Sequence, residues 1–106
     1  MIRIRTITAI ENADISSEMK NFLSEKFNGI LSEYGLNDIC DIISVIVLDE
    51  SEISYISDKY LEFCEEITID NTAWLHTVWA ASDGYSEDIY IPYSDSAKSA
   101  IEGRCL

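Results

Sequence analysis

The chain has 106 residues, an apolar share of 47% and a formal charge of −13. One domain is the expectation at this length, and the apolar content excludes intrinsic disorder despite the charge. No apolar run approaches the ~20 residues of a membrane-spanning helix, and Met1-Ile2-Arg3-Ile4-Arg5 does not build a signal-peptide core, so a cytoplasmic protein is expected.

The charge is unevenly placed. Between Asp38 and Asp95 fourteen acidic residues face one basic residue, Lys59, whereas the two ends balance their acids with Arg3, Arg5, Lys20, Lys26, Lys98 and Arg104. Four glycines and one proline leave no linker, repeat or low-complexity tract, which favours one unit over residues 1–106.

Taken in chain order, Ile2 to about Ile10 is rich in β-branched residues and alternates at first, which predicts an opening strand. From Ile15 the apolar residues Met19, Phe22, Leu23, Phe27, Ile30, Leu31 and Tyr34 recur at helical spacing. Asp14 or Ser16 can cap that helix, and Gly35 can end it. Ile39 to Leu48 is nearly continuous Ile/Val, as expected of a central strand covered on both faces, with Asp41 as an anomaly to be paired with Arg3 or Arg5.

Asp49 and Glu52 have the spacing of a capping box. Ile53, Ile56, Tyr60, Phe63, Cys64 and Ile67 then suggest a second helix, with Asp58, Glu62, Glu65 and Glu66 on its outer side. At ~1.5 Å rise per residue those four carboxylates would span about 12 Å, a spacing comparable with the ~3.4 Å phosphate rise of a DNA strand. The segment Thr72 to Asp83 fits a helix or a buried strand. The helix is preferred, because it places His76 and Thr77 together on a polar side. Asp88 to Tyr93 reads as a short strand, with Pro92 at an edge or at the strand's own end. Asp95 to Glu102, capped by Ser94 or Asp95, closes the chain as a short helix.

The expected fold is therefore α+β, or a small α/β: a sheet of three or four strands packed by two to four helices, in the order β-α-β-α-(α or β)-β-α.

No nucleophile-and-base pair, phosphate loop or metal cluster is legible, so neither an enzyme nor a cofactor or metal site is expected. The one histidine, His76, would need Asp70 or Asp83 beside a tryptophan-lined pocket to act catalytically. Asp83 to Asp88 lacks the ligand order of a calcium loop. Cys40 and Cys64 read as small buried residues and Cys105 as an exposed one, with no C-x-x-C pair among them.

The remaining signal is one-sided acid together with aromatic anchors. It points to a non-enzymatic inhibitor or binding protein that occupies the basic, nucleic-acid-binding surface of a partner, as anti-CRISPR and anti-restriction DNA mimics of phages or nuclease-toxin immunity proteins do. Direct nucleic-acid or membrane binding is not expected. Candidate contact residues are Asp58, Glu62, Glu65, Glu66, Glu87 and Asp88, with Tyr55 and Tyr85 and further hot spots at Tyr60, Tyr90, Trp74 and Trp79. The alternative is a small adaptor or self-assembling module, a homodimer through Trp74 and Trp79, in which acid serves only solubility.

Overall fold

A computed structural model describes residues 1–34, 44–80 and 86–102, apart from the side chains of residues 31, 33 and 34. Predictions at Gly35, Cys40, Asp41, Asp83, Gly84, Tyr85, Arg104 and Cys105, and for the side chains of Leu31 and Tyr34, lie outside the described set. The strands are β1 (Ile2–Ile4), β2 (Val45–Val47), β3 (Tyr60–Ile69), β4 (Thr72–Ala80) and β5 (Ser86–Pro92). The helices are α1 (Ile7–Asn12), α2 (Ser17–Tyr34), a 3₁₀ helix at Glu50–Ile56, and α3 (Asp95–Glu102).

The opening strand is shorter than its β-branched run. After Ile4 the hydroxyl of Thr6 accepts from the Ala9 amide at 3.0 Å, and this cap turns Ile7–Asn12 into α1. The turn buries Ile10 completely, a gain that a continued strand would not provide. The predicted α2 is found, capped by Ser16, whose Oγ accepts from the Met19 amide at 3.1 Å. Met19, Leu23 and Phe27 form its buried stripe.

Val45–Val47 is a fully buried strand, as its unbroken apolar run predicts, and residues 39–43 fall outside the described set. The capping box is present: Asp49 accepts from Ser51 while Glu52 accepts from the Asp49 amide. The hydrogen bond from the Ser51 side chain holds the Asp49 carboxyl below its ordinary value, against the opposing effect of desolvation.

The second helix is not found. Its start is the 3₁₀ helix, and the rest is β3, paired antiparallel with β4 from Tyr60↔Ala80 to Ile69↔Thr72 with a register shift at Glu62. Asp58, Glu62, Glu65 and Glu66 therefore do not share a helical face; Asp58 lies in the turn before β3 and the three glutamates on the strand. The physical reason is electrostatic as well as steric. A helix would stack these acids at i, i+4, where like charges repel, whereas the strand sends Glu65 and Glu66 to opposite faces, one to His76 and the other to Lys98. Asp70 and Asn71, at φ 54° and 57°, make the tight turn into β4.

Thr72–Ala80 is likewise a strand and not a helix, so His76 and Thr77 lie on opposite faces, both buried. Trp74, His76 and Val78 point one way and Leu75, Thr77 and Trp79 the other. The strand Ser86–Pro92 is found, in the sheet's interior and not at an edge, with Pro92 at its own end. α3 matches its predicted span, capped by Ser94, whose Oγ accepts from the Ala97 amide at 3.0 Å.

These strands form one mixed sheet of five, where three or four were expected, in the order β1-β2-β5-β4-β3. β2 and β5 are parallel and the remaining pairs antiparallel. One face buries Ile4, Val45, Val47, Ile69 and Tyr90 beneath α1 and α2. The other buries Ile46, Leu75, Trp79, Ile89 and Ile91 beneath the 3₁₀ helix and α3. With four described helices, the molecule is a single-domain α+β fold of 38 × 33 × 20 Å.

Candidate functional site

The sheet order makes β3 an edge strand, and this decides where the acids sit. Only Ile69 of its ten residues is buried. Tyr60 (60% exposed) and Phe63 (48%) are two of the three large apolar side chains exposed among the described residues. Glu62 accepts from the Ser86 hydroxyl at 2.8 Å, Glu66 pairs with Lys98 at 3.2 Å, and both remain exposed. The hydrogen bond to Glu66 raises the Lys98 pKa. Asp58 is exposed in the preceding turn. Cys64, expected to be buried, faces solvent on the same strand, because the helical face that would have covered it does not exist.

The other predicted contacts belong to the molecule's own interior network. Glu87 is nearly buried, with Lys59 Nζ at 2.8 Å and the Tyr55 hydroxyl donating at 3.1 Å. Burial works against the charge on Lys59, yet the hydrogen bond and attraction to Glu87 prevail and raise its pKa. Burial, reinforced by Glu87, also raises the Tyr55 phenol. Arg3 Nη2 donates to the same phenol oxygen at 3.1 Å, so Tyr55 links the β1 edge to Glu87. Tyr90 and Trp79, expected from the sequence to be exposed hot spots, are instead fully buried, and Trp74 is half-buried. Tyr85 lies outside the described residues.

His76 is the centre of a second arrangement. Its Nδ1 is 2.9 Å from Glu65 Oε1 and its Nε2 is 3.3 Å from Asp88 Oδ2, so the carboxylates are those of β3 and β5 and not Asp70. The ring stacks on Tyr90 at 4.7 Å, and Phe63 meets it edge-on at 5.9 Å. Lys26 of α2 donates to the Tyr90 hydroxyl at 2.9 Å and lies 3.5 Å from His76 Nε2. Burial, then the charges of Asp88 and Glu65, push the Tyr90 phenol far above its ordinary value of 10.0.

Both ring nitrogens of His76 thus lie within hydrogen-bonding distance of carboxylate oxygens, one from each neighbouring strand. Two cavities, of about 460 Å³ and about 220 Å³, are lined by other residues than His76. The cluster therefore joins β3, β4, β5 and α2 and fixes the base of the acidic edge. Its members are 11, 12 and 50 residues apart in sequence, and no local spacing could have found them.

No group of three or more His, Cys, Asp or Glu side chains among the described residues is placed to hold a metal ion. Among the described residues no helix is long and apolar enough to cross a membrane. Comparisons of the chain with protein-family models, with curated proteins and with solved structures each give no match.

Proposed function

We propose that this chain is a non-enzymatic, cytoplasmic binding protein that occupies a basic, nucleic-acid-binding surface of a partner protein, in the manner of phage anti-defence proteins or nuclease-toxin immunity proteins. The observation that carries this reading is the open β3 edge, where Tyr60 and Phe63 stand exposed among Asp58, Glu62, Glu65 and Glu66. An edge strand offers unpaired backbone donors and acceptors along its length, and aromatic residues give contact area at low entropic cost. The acids select the sign of the partner and speed its approach. They also oppose self-pairing, since a second copy laid along β3 would set Glu62, Glu65 and Glu66 against like charges.

The alternative of assembly through Trp74 and Trp79 receives less support, because Trp79 is wholly inside the core. The test is recovery of the partner from the native host with the wild-type chain and with a Glu62→Lys/Glu66→Lys double variant, which leaves the Glu65–His76 pair intact. The expected outcome is a nucleic-acid-binding protein whose binding to DNA or RNA is blocked by the wild type. The double variant should associate about tenfold more slowly, and added salt should slow the wild type similarly. A complex indifferent to salt and to both substitutions, or a partner with no nucleic-acid-binding surface, would overturn the proposal.

A further inference from the structure

The larger cavity lies at the other end of the sheet from Glu62, and none of residues 58–66 lines it. Its volume of about 460 Å³ is that of a small-molecule site. The parallel strands β2 and β5 both run out into it, through Val47, Leu48 and Pro92, and crevices beyond the carboxyl ends of parallel strands are where open sheets hold ligands. The Ile69-to-Thr72 hairpin and the start of α2 form its sides.

The chemistry of the lining is two-layered. Ile15, Met19, Val47 and Trp74 supply an apolar floor, while Asp14, Asp49, Glu52 and Asp70 supply carboxylates. The amino group of Met1 pairs with Glu52, which leaves a formal surplus of three negative charges, and no lysine, arginine or histidine of the described residues lines the cavity. The amino end of α2 opposes this with only about half a positive charge. Asp49 and Glu52 are engaged in the capping box, whereas neither the Asp14 nor the Asp70 carboxylate has a partner among the described residues. The acids are too dispersed to enclose a metal ion, and the apolar floor offers a hydrated inorganic cation nothing to replace its water.

We infer that this cavity binds a small organic cation, an ammonium carried on an apolar body that lies against Trp74 while its charge meets Asp14 and Asp70. The apolar body is taken from water by Met19, Val47 and the indole, which also attracts the cation through its π face. The carboxylates distinguish amine from acid or alcohol of the same shape. The site is independent of the proposed β3 interface.

The probes are phenethylamine, 2-phenylethanol and 3-phenylpropionate, followed by Trp74 fluorescence and by the amide and indole resonances of the intact chain. Phenethylamine is expected to bind about tenfold more tightly than the alcohol, with 3-phenylpropionate weaker still, and to shift the Trp74 indole and the Asp70 and Thr72 amides. An Asp14→Asn/Asp70→Asn double variant should lower the amine's affinity to that of the alcohol. It keeps the fold, since Asp14 is exposed and asparagine accepts the left-handed backbone at position 70. Equal binding of amine and acid, no shift at Trp74 by about 10 mM amine, or shifts confined to the acids of β3 would each overturn the inference.

Discussion

Three side chains illustrate how buried polar groups govern this molecule. Trp79 Nε1 donates to Thr77 Oγ1 at 2.6 Å, and that hydroxyl donates to the Ile89 carbonyl at 2.8 Å, all within the core. Thr77→Val keeps the shape but leaves a buried indole N–H and a carbonyl without this partner, so unfolding free energy should fall by about 2 kcal/mol in urea titration. The conjunction was invisible in the sequence, where Thr77 reads as a polar neighbour of His76. Tyr90 acts through pH. Its folded phenol titrates above the ordinary 10.0, so the unfolded phenol ionises first. Stability contributed by neutral Tyr90 is complete below about pH 10 and falls as the pH rises toward its folded value. Tyr55, from pH 10.0, and Lys59, from pH 10.5, have raised values that act in the same direction. Urea midpoints measured from about pH 8 to 12 should therefore decline on the alkaline side, and Tyr90→Phe should flatten the decline without abolishing it.

Secondary structure was legible where an element is stabilised by its own chain and illegible where a neighbour decides it. α2, α3 and the Asp49–Glu52 capping box appear as their spacing and caps predict. The long β3–β4 hairpin does not. Apolar residues at Phe63, Cys64 and Ile67 satisfy a helical spacing as well as a strand does, and β4, buried on both faces, shows no alternation that would expose its period. The signal available was Asp70-Asn71, two residues that tolerate left-handed backbone, placed between Ile-Thr-Ile and Thr-Ala-Trp. Asn71→Ala should lower stability by about 1 kcal/mol in chemical denaturation, because a Cβ without a compensating side-chain hydrogen bond is strained at φ 57°. Asn71→Gly should cost nothing or stabilise slightly. Equal losses in both would mean that the asparagine side chain, and not the turn conformation, is what the hairpin requires.

At the scale of the whole molecule the formal charge of −13 sits on a small body, and two of its described lysines are held by carboxylates, Lys59 by Glu87 and Lys98 by Glu66, while Lys26 donates to Tyr90. The remaining acids repel one another. Added sodium chloride screens this repulsion, with a Debye length near 10 Å at 0.1 M, more than it weakens the few close pairs. The thermal midpoint should therefore rise by several degrees between about 0.02 and 0.5 M salt, and a fall would show that the pairs outweigh the surplus. The α+β class, the long α2 helix, the central apolar strand and the sign of the surface charge were determined by the sequence alone, because each depends on composition or on neighbours within a few positions. The placement of β3 at an open edge, the partners of His76 and the cavity at the ends of β2 and β5 were decided only by tertiary structure. They arise from pairings between residues far apart in the chain, and the acidic stretch became an exposed strand because the sheet, and not its own periodicity, offered it the better place for its charges.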